Sequence, residues 1–175
     1  MIYGKEIAVD QMMKNLLLIS LIFFGTNSFG QSEAFKTMLE NYYTDFPTIS
    51  ISDAYQHLKK RDAVFLDTRP HNEFKVSHIN TAIRIDPETK TFDELDLKKD
   101  DLIIVYCSIG ARSQSIGERL KDAGYENVFN LYGGLFNWGN HKYPMVDNND
   151  NRTTRIHGYS KRWGRWITRG QVVYK

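Results

Sequence analysis

Beyond residue 32 the chain alternates short runs of aliphatic and β-branched residues with stretches whose apolar positions recur at helical spacing. The pattern predicts a helix over residues 33–43, a strand at 48–51, and a helix running to Arg61 with Ser52 as its N-cap. Residues 63–66 read as a strand, 72–76 as a short helix, 82–85 as a strand and 92–95 as a turn of helix. Residues 102–106 form an apolar strand. The longest helix runs over 111–123, with Ile116, Leu120 and Ala123 on one face and Gly124 as its stop. A strand at 127–131 and a short helix at 135–140 complete the series. Alternation of this kind predicts an α/β fold: an open parallel sheet covered by helices on both faces, with functional loops at the C-terminal ends of the strands. There is no internal repeat.

The first thirty residues follow a different pattern. Met12-Met13-Lys14 supplies a basic start, residues 16–24 are almost wholly apolar, and Ser28 and Gly30 form a small-x-small site. These features predict a secretory signal peptide over residues 1–30, cleaved between Gly30 and Gln31, with residues 1–11 as an upstream extension and translation from Met12 or Met13. The apolar run is about half of the roughly 20 residues that a membrane-spanning helix needs. No cysteine follows it, so a lipoprotein is disfavoured. The expected destination is the periplasm or the exterior. The rest divides into an N-terminal helix and linker (31–47), a main domain (48–146) and a C-terminal extension (147–175).

Composition adds a constraint. With 41% hydrophobic and 25% charged residues, the chain is of globular type and long enough for one core without a staple. Its single cysteine, Cys107, excludes an intrachain disulfide and a structural zinc site built on several thiolates. His57, His71, His141 and His157 lack ligand spacing, so no metal site is expected. In an oxidising compartment a lone thiol is a liability unless it is buried or used.

Cys107 sits between the strand ending at Tyr106 and the helix starting near Ala111. A tight loop containing Gly110 can turn several backbone N–H groups inward, and the helix adds the positive end of its dipole. Arg112 adds a permanent cation. All three favour a thiolate, which is the reactive form, and the same donors would hold an anion or a sulfur carried on Cys107.

Four ordered motifs then give a resemblance. LDTRPHNEF (66–74) resembles LDVRxxxEF, SHINTAIRID (77–86) resembles GHIPGAINIP, CSIGARS (107–113) resembles CxxGxRS, and 124–146 resembles GYxNVxxLxGGxxxWxxxGxPV; together these are similar to the rhodanese-homology domain family. The resemblance implies a five-stranded parallel sheet with helices on both faces and a single-domain sulfurtransferase that needs no cofactor. It makes Cys107 the nucleophile that carries a sulfane sulfur as a persulfide. It makes Ser108, Ile109, Gly110, Ala111, Arg112 and Ser113 the cradle for that sulfur. The implied partners are a small sulfane-sulfur donor and a thiol acceptor, either a small molecule or a protein.

Four residues separate Cys107 from Arg112, whereas cysteine phosphatases place five there; phosphatase and arsenate reductase chemistry are therefore disfavoured. The neutral Ser108 and apolar Ile109 replace the cations that thiosulfate-using members place after the cysteine. Asp67 and Arg69, at the end of a neighbouring strand, are expected to brace the active loop, and Arg112 to cap carboxylates or bridge Asp67, holding the loop while it faces the site. His78 reads as a turn or core histidine and Trp138 as core.

The extension is the other unusual feature. Residues 151–175 carry seven cations (Arg152, Arg155, Lys161, Arg162, Arg165, Arg169, Lys175) and no acid, leaving 16 cations against 21 acids elsewhere. Trp163, Trp166, Ile167, Val172 and Val173 are expected to fold back as a small hairpin with the charges in solvent. The other use is contact with an anionic membrane surface or an acidic partner; nucleic acid is not expected for an exported chain. Two functional readings stand at this point: an exported sulfurtransferase acting through Cys107, and a non-catalytic module acting through its basic aromatic tail.

Overall fold

The computed structural model describes residues 33–175. The chain divides into two units, Met1–Glu40 and Asn41–Lys175. In the first, residues 33–40 form helix α1, with Lys36 Nζ 2.8 Å from Glu33 Oε1. The predicted signal peptide lies outside the described residues. Among those described, no helix is long and apolar enough to cross a membrane.

The second unit is built on five parallel strands: β1 (Thr48–Ile49), β2 (Val64–Asp67), β3 (Ile83–Arg84), β4 (Leu102–Tyr106) and β5 (Asn127–Leu131), in the order β1-β5-β4-β2-β3. The five-stranded α/β sheet expected from the sequence is therefore present. Its central strand β4 is buried on both faces, so its side chains alternate between two cores. Ile103 and Val105 join Leu66, Val128 and helix α4 (Ala111–Asp122) through Ile116 and Leu120. On the opposite face, Phe65 meets Trp138 of helix α5 (Gly134–Asn140), and Trp138 in turn meets Tyr55 of helix α2 (Ile51–Lys60).

Several boundaries move. α1 ends at residue 40, which releases Tyr43 for a role at the site. The N-cap of α2 is Ser50, two residues before the expected Ser52: Ser50 keeps extended dihedrals (φ −66°, ψ 152°) and its hydroxyl accepts the Asp53 N–H at 3.1 Å, the S-x-x-D arrangement of a cap. Helix α3 (His71–Phe74) begins directly after Pro70, where a missing N–H costs nothing. Residues 92–95 close only a hydrogen-bonded turn, Leu95 N–H to Phe92 O at 3.1 Å.

The extension folds back onto the domain, though with a topology other than a hairpin. β6 (Met145–Val146) pairs antiparallel with β7 (Arg152–Thr153), whereas β8 (Arg155–His157) and β9 (Gln171–Val173) run parallel, joined by helix α6 (Lys161–Gly164). A parallel pair needs a crossover of roughly a dozen residues, which 158–170 supply. Ile156 and Ile167 are buried, and Gly139 of α5 lies so close to Ile156 that an added Cβ would sit 2.4 Å from its Cδ1. Asn140 clasps the returning chain, donating to Trp166 O at 2.8 Å and accepting from Thr168 N–H at 2.7 Å. All seven cations of the extension are exposed.

Candidate active site

Cys107 follows β4 at the centre of the sheet, and the loop 107–110 is buried throughout. The thiol is only 1% exposed. Gly110 N–H points back at Sγ from 3.2 Å, so a backbone dipole supports negative charge on the sulfur. This needs Gly110 in the left-handed region (φ 96°), where it also caps α4 and aims that helix's N-terminus at the loop.

Three neighbouring elements fix the loop. From β5, buried Asn130 donates to Gly110 O at 2.9 Å, and Ser113 Oγ lies 2.8 Å from Asn130 Oδ1 and 3.1 Å from Gly110 O. From the segment before β1, Tyr43 donates to Ile109 O at 2.8 Å while accepting the Gly133 N–H at 2.8 Å. Burial pushes the Tyr43 phenol well above its ordinary range, against the smaller opposing pull of the Gly133 N–H, and charge on Cys107 adds to the rise. The phenol therefore keeps its proton and remains a donor. From α5, Leu135 and Phe136 N–H donate to Cys107 O and Ser108 O, both at 2.9 Å. Two helix-terminal donors are thereby satisfied by the active loop itself.

Near the sulfur Arg112 does hold a carboxylate, and that carboxylate is Glu73 rather than Asp67. Arg112 makes a two-pronged contact with Glu73 of α3, Nη1 to Oε1 at 3.1 Å and Nη2 to Oε2 at 3.0 Å, and also reaches Ser108 Oγ at 3.0 Å. Ser108 Oγ donates to the same carboxylate at 2.9 Å. Burial opposes the charge of Arg112, yet its bonds to Glu73 and its proximity to Cys107 raise its pKa, so it stays cationic. Arg112 does not bridge Asp67. Asp67 instead pairs with Arg69 through Oδ2 and Nη2 at 2.6 Å, both side chains fully buried, and Arg69 Nη2 also donates to Ser77 O at 2.6 Å. That pair braces the 67–77 loop; the acid that grips the active loop is Glu73. Glu73 lies within the LDTRPHNEF segment but was not among the site residues expected from the sequence. Short carboxylates at β-strand ends such as Asp67 bond their own loop readily, which leaves the acid on the following helix free for the distant arginine.

Above the loop is a cavity of about 190 Å³. Cys107, Ser108, Ile109, Ala111 and Arg112 lie on its lower side, with Phe136 beside them and Tyr42, Tyr159 and Trp163 completing the lining. These last three rings were not expected at the site from the sequence; Tyr159 and Trp163 belong to the extension, more than 40 residues beyond the loop. His78 does not reach Cys107: it stacks on Phe74 at 3.8 Å between ring centroids, with Nδ1 3.0 Å from Phe74 O.

Comparisons with known proteins place this geometry. The family described as Rhodanese-like domain matches residues 50–141, more than half the chain. The thiosulfate sulfurtransferase GlpE of Coxiella burnetii (strain RSA 331 / Henzerling II) is 31% identical over 106 residues, covering 61% of this chain and 98% of that protein. The tRNA uridine(34) hydroxylase of Enterobacter sp. (strain 638) is 31% identical over 109 residues, covering 54% of this chain and 31% of the hydroxylase. Among solved structures, a rhodanese-related protein from Thermoplasma volcanium superposes with a TM-score of 0.52 at 28% identity, covering 58% of this chain and 98% of that one. Sulfurtransferase-type activity is thus supported at the level of the family. The matched segment takes in β2 to β5 of the parallel sheet and the loop after β4, and the chain belongs to the rhodanese-like domain family.

Proposed function

We propose that this protein is a sulfurtransferase that carries a sulfane sulfur on Cys107, working after export as its leader-like N-terminus predicts. The observation that supports it most directly is the Gly110 N–H directed at Sγ from 3.2 Å at the bottom of a cavity. The Cys107 thiolate attacks the outer sulfur of the donor. The S–S bond of the donor breaks, and its electron pair leaves with the remainder of the donor, giving a Cys107 persulfide. In the second half-reaction an acceptor thiolate attacks the outer sulfur of that persulfide, and Cys107 departs as the thiolate. No outside oxidant is needed in either step, and the only protons that move are those the thiols release on ionisation. A general base is unnecessary when the attacking species is the thiolate. Gly110 N–H and the α4 N-terminus favour negative charge at the transfer point, while Tyr43 and Asn130 hold the carbonyls of Ile109 and Gly110 and so fix the loop that presents that N–H.

Intact-mass measurement after exposure to sulfane-sulfur donors tests this reading. Wild type is expected to gain roughly 32 Da, reversible by a thiol, and Cys107→Ala to gain nothing. Absence of the adduct with thiosulfate, an organic persulfide and a thiosulfonate alike would overturn it.

A further inference from the structure

The cavity above Cys107 is closed on one side by residues that follow the family-matched segment 50–141. Tyr159 is a non-glycine residue held at φ 60°, a conformation that persists only where surrounding structure enforces it. Gly158 and Gly164 provide that enforcement: a Cβ on Gly158 would lie 2.7 Å from Val172 Cγ1, and one on Gly164 would lie 2.4 Å from Tyr174 Oη. The turn so formed sets the Tyr159 ring 5.2 Å from the Arg112 guanidinium and leaves it 56% exposed at the rim. Trp163 stands beside it and meets the Tyr42 ring edge-on at 5.4 Å.

Charge and size define what this space accepts. Arg112 is the cation on the lining, and Glu73 already neutralises it through two hydrogen bonds. A dianion would therefore lose its water in exchange for the Gly110 N–H, the α4 N-terminus, one compensated charge and four aromatic rings, a poor trade for a strongly hydrated ion that carries two charges. An aryl group suits the same surroundings, since an apolar cavity of about 150 Å³ holds benzene and this one measures about 190 Å³. We propose that Tyr159 and Trp163 of the extension, together with Tyr42, form a specificity wall that selects sulfane-sulfur carriers with an aryl or alkyl body over inorganic thiosulfate. This inference rests on the persulfide reading of Cys107.

Two donors that differ in the relevant group provide the test. Benzenethiosulfonate and thiosulfate each deliver one outer sulfur by the same displacement, releasing benzenesulfinate and sulfite respectively, but a phenyl ring replaces an anionic oxygen in the first. The rate of persulfide formation is measured with each donor, and their ratio is divided by the ratio for a small free thiol. Wild type is expected to favour benzenethiosulfonate at least ten-fold on this scale. Tyr159→Asn, which tolerates positive φ, and Tyr42→Ser, which removes an exposed ring, are each expected to lower the ratio at least three-fold with urea midpoints near wild type. A wild-type ratio near one, or ratios unmoved in both variants, would overturn the wall while leaving sulfur transfer intact. Loading by neither donor would overturn the wall, and failure of an organic persulfide to load as well would remove the persulfide reading itself.

Discussion

Glu73 is the side chain on which the charge balance of the site depends. It is almost wholly buried, and it accepts from both Ser108 and Arg112. Hydrogen bonds to a charged group contribute about 1.5–3 kcal/mol each when one partner is removed. Glu73→Gln keeps the shape but loses the charge, and is expected to lower stability by about 1.5–3 kcal/mol in urea unfolding. A loss below about 0.5 kcal/mol would mean that the pair behaves as an ordinary surface ion pair. The chemistry at this scale was legible in part. Cys107 and Arg112 stand out because a lone thiol and a cation share one short loop. The partner of Arg112 lies 39 positions away, and Tyr43 lies 66 positions from the carbonyl it holds. No periodicity reports on contacts at that separation; they arise when parallel strands bring their C-terminal ends to one edge.

Among the elements, the junction of α5 with the loop is the most constrained. Gly134 has φ 56°, and a Cβ there would lie 2.4 Å from Cys107 O and 2.8 Å from Ile109 N, both backbone atoms that cannot swing aside. Gly134→Ala is expected to slow persulfide loading at least ten-fold and to lower the urea midpoint. Gly124 offers the control. It shares a positive φ of 90° but has nothing within 4 Å of an added Cβ, so Gly124→Ala should cost only the backbone term of about 1–2 kcal/mol and leave loading within two-fold. Equal effects from the two substitutions would show that strain, rather than contact with the loop, dominates at Gly134. Element limits were most legible where an apolar run meets a turn residue, as in β5, found over Asn127–Leu131 as expected. They were least legible where two candidates compete, as Ser50 and Ser52 do for one cap; the choice falls to whichever keeps extended dihedrals once β1 has paired with β5.

For the whole molecule, the extension is part of the domain it follows. Burial of Ile156 and Ile167 against the body contributes about 1.5–3 kcal/mol each. Removal of residues 151–175 is expected to lower stability by about 3–6 kcal/mol in urea unfolding, where a tail used only to reach a partner would leave the midpoint unchanged. Its basic and aromatic composition was legible, and so was its return to the domain. Its parallel topology was not, because β-branched residues around Val172 mark a strand without stating its direction. The position of Tyr159 and Trp163 has a further consequence for the order in which the site comes into being. Translation runs from the N-terminus, and domains tend to fold as they emerge. Cys107, Gly110 and α4 are therefore made before Tyr159 and Trp163, and the cavity gains those two rings only once the last part of the chain has emerged.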